Sequence, residues 1–252
     1  MTMTLTQYVR QDAVNERINE LLGSRAPQFI TSLVAAAGAN GLNACEPGSV
    51  VSAALIAASM DLPINQNLGF AYLIPYNDRH KGEKVCQFQM GYKGFIQLAQ
   101  RSGFYKTINA TDVREGELAS MNRLTGEPTF EWLDDEKREK ANVVGYIAYF
   151  KLLNGFEKSL YMSVDALTNH ATKYSKNYAK FKSGMWAEDF DAMAKKTVIK
   201  LLLSKFGPLS TQLQEAIQHD QTIDGEYADA PERVEVVDAE IGECEEERGA
   251  QE

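Results

Sequence analysis

Three stretches of this 252-residue chain combine residue types that could do chemistry. The richest is Thr172-Lys173-Tyr174-Ser175-Lys176-Asn177-Tyr178-Ala179-Lys180-Phe181-Lys182, with four lysines, three aromatics and no acid. Lysines neutralise phosphates and release counterions. Aromatic rings stack on unpaired bases with little sequence preference. The competing reading is a solvated lysine-rich loop with its tyrosines tucked onto the core; composition weighs the two equally. The second stretch is Gln89-Met90-Gly91-Tyr92-Lys93-Gly94-Phe95, where a strand gives way to a helix. A helix N-terminus offers N–H groups to an anion. Gly91 and Gly94 permit close backbone approach, either to a ligand or simply to shape the turn. Tyr92 and Lys93 lie at this junction, and Arg101 follows eight residues on, roughly on the same helix face. The third is Met193-Ala194-Lys195-Lys196-Thr197-Val198-Ile199-Lys200, with Lys196 and Lys200 one turn apart and Lys195 on the other flank. These lysines either face a ligand or snorkel from a buried helix.

Other chemistries lack their residues. No Gly-Lys dipeptide occurs, which excludes a Walker A loop, and there is no G-x-S-x-G, H-E-x-x-H or C-x-x-C. Asp189 and Asp191 diverge on a helix. Asp135-Glu136-Lys137 matches the loose D-x-K of some nucleases, but it sits in a charge-rich run, Asp134 to Lys140, that reads as a solvated loop. Cys45, Cys86 and Cys244 are odd in number and far apart, pointing to a reducing cytoplasm rather than a disulfide framework or zinc site. No apolar run approaches the length needed to span a bilayer, and the first residues do not read as a secretory signal.

The net charge of -9 conceals an asymmetry. From Asp220 to Glu252 there are 13 acids and two arginines, whereas Lys137 to Lys205 holds 13 bases and 6 acids. A basic zone joined to an acidic tail often marks a nucleic-acid-binding protein.

The elements that must position these residues follow from pattern. Helices are expected at Asp12–Leu22, Pro27–Ala39 and from Pro47 to Met60. Strands are expected at Phe70–Pro75 and Lys84–Met90 around a polar loop, then a helix Phe95–Ser102, then strands Thr107–Arg114 and Pro128–Trp132. A hairpin, Val143–Leu152 with Phe156–Met162, turns through Asn154-Gly155. Helices Val164–Ala171, Trp186–Phe206 and Ser210–Gln218 complete the body, with a basic-aromatic loop from Lys173 to Gly184. The fold class is α+β: a mainly antiparallel sheet with a β-hairpin, packed by helices, with a helical N-terminal region (residues 1–62), an α+β core (63–219) and a disordered acidic C-terminal tail (220–252).

The stretches Leu68-Gly69-Phe70-Ala71-Tyr72-Leu73-Ile74-Pro75-Tyr76, Cys86 to Gly94, Ala99-Gln100-Arg101-Ser102-Gly103 and Met193 to Lys200, in this order, resemble the RecT family of phage and prophage recombinases. The resemblance covers about residues 45 to 207. It implies an ATP-independent protein of a bacterial cytoplasm that binds single-stranded DNA, anneals complementary strands and holds the new duplex as an oligomeric ring or helical filament. It implies no catalytic residues, no required cofactor, with magnesium at most a modulator of DNA binding, and as partners a phage exonuclease and a host single-strand-binding protein. Under this reading Lys93, Arg101, Lys173, Lys176, Lys180, Lys182, Lys195, Lys196 and Lys200 are the candidate phosphate contacts. Tyr92, Tyr174, Tyr178 and Phe181 are the candidate stacking residues. The apolar N-terminal helices are expected either to form the subunit interface or to complete the protomer core. A passive single-strand-binding protein and a nuclease are the rival classes.

Overall fold

The computed structural model describes residues 3–39, 41–78 and 82–225. The N-terminal part is helical: α1 (Leu5–Tyr8), α2 (Asp12–Leu22), α3 (Ala26–Ala39) and α4 (Pro47–Ser59). Two of these starts have a side-chain cap. Thr4 and Gln7 form a reciprocal capping box on α1. Glu46 accepts from the Gly48 and Ser49 N–H groups at the head of α4, where Pro47 occupies the first turn. These helices share one hydrophobic core with the rest of the chain, from Leu5 to Ile217.

Every strand pairs antiparallel. β1 (Ala71–Asp78) and β2 (Glu83–Met90) form one ribbon, in register from Ala71 opposite Met90 to Asp78 opposite Glu83. β3 (Tyr105–Arg114), β6 (Val143–Leu152) and β7 (Glu157–Ser163) form a three-stranded sheet in the order β3-β6-β7. β4 (Leu118–Asn122) and β5 (Glu127–Phe130) form a separate hairpin. The β6–β7 turn uses Gly155 at φ +91°, a backbone state that favours glycine, and Asn154 Oδ1 accepts from the Phe156 N–H at 3.0 Å.

Between β2 and β3 runs α5 (Tyr92–Arg101). It begins three residues before the expected start because Gly91 is its N-cap. A Cβ on Gly91 would strike the Gly69 carbonyl oxygen, and one on Gly94 would strike the Phe70 carbonyl oxygen and Met90 Sδ. Both glycines therefore let the head of α5 lie against the residues entering β1. The close approach here is to the protein's own backbone.

α6 (Asp135–Lys140) occupies the run expected to be a solvated loop. Asp134 caps it, and Arg138 reaches back to Glu117 Oε1 at 2.8 Å and the Asp112 carbonyl at 2.8 Å. Glu117 is fully buried, and its other oxygen accepts from the Arg114 N–H at 2.7 Å. This network of ion pairs pins the β3–β4 turn and α6 together.

α7 (Val164–Tyr174) follows β7, and the expected basic-aromatic loop contains α8 (Lys176–Phe181). The expected helix 186–206 is two: α9 (Met185–Glu188) and α10 (Phe190–Phe206), broken at Asp189, which caps the second. α10 packs on β6, β7, β3 and α5 and is buried nearly all round.

α11 (Thr211–Gly225) runs past Gln218, the expected end of the last helix. Its residues Leu213, Ala216 and Ile217 enter the core, and Asp220 is 1% exposed. Asp220 Oδ2 accepts from Lys200 Nζ at 2.8 Å. Lys196 Nζ lies 2.6 Å from Asp220 Oδ1 but is poorly aligned for a hydrogen bond, so that contact is a charge-to-charge attraction. Burial pushes the Asp220 carboxyl up, and the two ammonium groups overcome it and hold the carboxyl below its ordinary range. The rest of the expected tail, 226–252, lies outside the described residues.

Two stability predictions follow from these contacts. Gly94→Ala should lower unfolding free energy by about 2 kcal/mol in urea titration, since a carbonyl oxygen cannot rotate away from the added methyl. Asp220→Asn should cost about 3 kcal/mol at pH 7 by leaving two buried cations without their anion. Because the folded carboxyl is held low, that difference is fully present above the unfolded carboxylate's range and disappears as pH falls through the folded value. Urea unfolding of both proteins between pH 7 and pH 2.5 measures it.

Candidate nucleic-acid interface

The basic-aromatic segment is a run of short helices with defined joints. Ser163 caps α7, accepting from the Ala166 N–H at 3.2 Å. Ser175 ends α7 and caps α8, accepting from the Tyr178 N–H at 3.3 Å. α8 ends on Lys182 at φ +48°, and Gly184 at φ +84° redirects the chain into α9. A lysine in the left-handed region is uncommon.

The joints arrange the aromatics as a train running inward. Tyr174 meets His170 at 4.5 Å between ring centres, and His170 and Tyr178 flank Trp186 at 6.3 and 6.4 Å. Trp186 meets Phe190 at 5.4 Å, and Phe190 meets Tyr146 of β6 at 6.2 Å. Trp186 and Tyr146 are buried, whereas Phe181 is 65% and Tyr174 43% exposed. Tyr146's hydroxyl is pushed up to about 12 by burial and then by Asp191, so it stays protonated.

Lysines sit on the outer rings. Lys173 Nζ is 5.1 Å from the centre of Tyr174, and Lys182 Nζ is 4.4 Å from that of Tyr178. Both are within cation–π range. Lys180 is exposed on the same short helix. The segment thus presents paired charge and ring faces, the two groups that a single-stranded backbone and its bases require. The side chain of Lys176 lies outside the described residues.

At the head of α5, Lys93 is exposed and Tyr92 half-buried. Burial raises the Tyr72 hydroxyl from its ordinary value, with Asp189 and Tyr92 adding to the effect. The start of α5 therefore shares an electrostatic neighbourhood with the α9–α10 junction, which follows the basic-aromatic segment.

Four expected phosphate contacts are otherwise engaged. Arg101 Nη1 donates to the Met60 carbonyl at 3.0 Å and the Asp61 carbonyl at 2.9 Å, closing the end of α4. Lys195 pairs with Asp191 at 2.7 Å, one turn away. Lys196 and Lys200 are 4% and 7% exposed and face Asp220. In this arrangement each of the four is already engaged by a protein carboxylate or carbonyl oxygen.

Other carboxylates are equally engaged. Asp189 caps α10, and Asp134 caps α6. Among the described residues, no group of three His, Cys, Asp or Glu side chains could hold a metal ion, and no helix is long and apolar enough to cross a membrane.

One surface escaped the sequence reading. On the face of the sheet away from α10, the β4–β5 hairpin and the strands enclose a cleft of 560 Å³. Phe130 and Trp132 form its wall, stacked at 4.7 Å with 17° between their planes. The local signal was their i, i+2 spacing, which puts both rings on one side of an extended strand.

The RecT family model matches residues 27–235, extending the resemblance to α3 at one end and past α11 at the other. The uncharacterized protein YqaK of Bacillus subtilis strain 168 is 43% identical over 221 residues, spanning 87% of this chain and 73% of that protein. Protein RecT of Escherichia coli K12 is 31% identical over 190 residues, spanning 71% of this chain and 65% of that protein. With α10, its lysines and the glycine-packed head of α5 all inside the matched span, the chain belongs to the RecT family.

Proposed function

We propose that this chain binds single-stranded DNA and anneals complementary strands in homologous recombination, without nucleotide hydrolysis, as a ring or filament of many copies. The observation that carries the reading is the exposed lysine–ring surface of α7 and α8 on a chain of the RecT family. Lys173, Lys180, Lys182 and Lys93 supply phosphate contacts, and Tyr174 and Phe181 supply exposed rings. Lys176 belongs with this group by sequence, and Tyr92 and Tyr178, both half-buried, are its further stacking candidates. Such contacts hold the backbone and leave base edges available, so strand pairing itself supplies the specificity. Linking protomers raises the affinity of each for the same strand. An exonuclease that exposes single strands and a host single-strand-binding protein are the partners this activity calls for. Magnesium acts, if at all, on the DNA backbone.

A passive strand-protecting protein would bind equally well through this surface and is separated by the pairing step alone. Two complementary oligonucleotides bearing a donor and acceptor fluorophore, mixed without ATP, should pair faster with the protein than without it. Tight binding with no acceleration would move the function to protection. The triple substitution Lys173→Ala, Lys180→Ala, Lys182→Ala should reduce the slope of log affinity against log salt by about 2, at roughly 0.7 per single-strand phosphate contact. A folded triple variant with an unchanged slope would take these lysines out of the interface.

A further inference from the structure

The cleft beneath the β4–β5 hairpin has a floor of an unusual kind. Directly paired residues share a face of an antiparallel sheet. Asn109, Tyr149 and Ser159 therefore form one row across β3, β6 and β7, and Thr111, Ile147 and Tyr161 the next. This face is turned away from α10. Its polar groups are neutral hydroxyls and an amide; the Tyr149 and Thr111 hydroxyls donate to Glu157 at 2.6 Å and Asp112 at 3.3 Å and keep their acceptor lone pairs. Trp132 stacks one side of its indole on Phe130 yet remains 55% exposed, the state of a ring with a vacant face.

Charge in the cleft argues against phosphate. Glu127, Glu157 and Lys158 line it, a set with a net negative charge, and the Lys158 ammonium donates to the Thr125 carbonyl. Glu157 accepts from the Tyr149 hydroxyl at 2.6 Å and from Lys151 Nζ at 2.9 Å. These two donors, Tyr149 first, hold its carboxyl below the ordinary range, so it stays ionised. This lining does not favour a phosphodiester, whereas a planar neutral heterocycle with donors and acceptors on its edge fits an aromatic wall and a hydroxyl-rich floor.

We infer that this cleft binds an unpaired nucleobase, stacked on Trp132 and held at its edge by Asn109, Thr111 and Ser159. The inference rests on the single-strand-binding reading above and adds a base-binding site on the opposite side of the sheet from the lysine-rich surface. Because the contacts are stacking and neutral hydrogen bonds, the site discriminates paired from unpaired bases rather than one base from another. A base inside a duplex has both faces and its pairing edge occupied, so annealing empties the cleft.

The chain has two tryptophans, Trp132 exposed and Trp186 buried, which makes the site separately observable. Trp186→Phe leaves Trp132 as the sole indole reporter. Its emission should be quenched by oligothymidine and should recover when oligodeoxyadenosine is added to form duplex. In parallel, Trp132→Ala in the otherwise natural chain should bind labelled oligothymidine about five-fold more weakly or worse, the loss of one stacked base. Trp132→Phe should restore most of that affinity, because a phenyl ring still stacks. Normal binding by anisotropy with unaltered Trp132 emission, or with full affinity in Trp132→Ala, would overturn the cleft assignment and leave the DNA-binding reading intact. Equal quenching by duplex would also overturn it. If no labelled strand binds at all by anisotropy, the DNA-binding reading itself fails and takes this site with it.

Discussion

The fold depends on burying α10, a helix that carries two lysines into the interior. Met193, Ala194, Val198, Ile199, Leu202 and Leu203 are within 9% of complete burial, and they lie against the sheet and α5. A helix enclosed this completely leaves no solvent-facing flank for Lys196 and Lys200. An ammonium group cannot stay charged in such a place without an anion. Asp220 is that anion, and it reaches them only because α11 folds back across β2 and α5. The acidic residue that begins the tail by composition is thus a structural member of the body. The family match agrees in running beyond α11 rather than ending with α10.

Much of the architecture was legible in local pattern. Asp12–Leu22 is a helix with the expected bounds, and Val143–Leu152 with its Asn-Gly turn is a strand as expected, because capping, turn chemistry and period act within a few residues. What escaped was long-range. Nothing near Arg101 announces that it will close the end of α4, 40 residues earlier in the chain. The charged run 134–140 looked like a loop because its reason to be helical, Arg138 on the buried Glu117, lies 21 residues upstream. The candidate site divides in the same way. The lysine–ring pairs of α7 and α8 are neighbours in sequence, so composition finds them. The lysines of α10 look identical in sequence, and only the position of α11 separates the two groups.

This division changes what a single protomer can do with DNA. Of the nine basic candidates, Arg101, Lys195, Lys196 and Lys200 are held by the protein's own oxygens. Lys93, Lys173, Lys180 and Lys182 are exposed, and exposed charges are screened within about 8 Å at physiological salt. A few such contacts give weak, rapidly exchanging attachment. For a protein that must let strands slide into register before pairing, weak attachment per protomer is an advantage, provided that many protomers share a strand. On the proposed reading, oligomerisation is therefore a requirement of the charge count, since neighbouring subunits turn several weak phosphate contacts into a durable one.

The two sides of the sheet then have different physical tasks. The lysine-bearing side grips a uniform polyanion, with the exposed rings of Tyr174 and Phe181 beside its charges. The cleft side, where Glu127 and Glu157 outnumber Lys158, answers to the faces and edges of bases. A surface that senses charge alone would hold a single strand and a duplex with comparable strength, and pairing would make no difference to it. A stacking cleft adds an interaction that pairing removes. Strand exchange between protein and partner strand becomes a competition between one stacked base per protomer, worth about 1–3 kcal/mol, and one base-pair step of similar size. Near balance between those two terms allows mismatched encounters to dissociate, while correct pairing over several steps accumulates enough free energy to draw the bases out of the clefts.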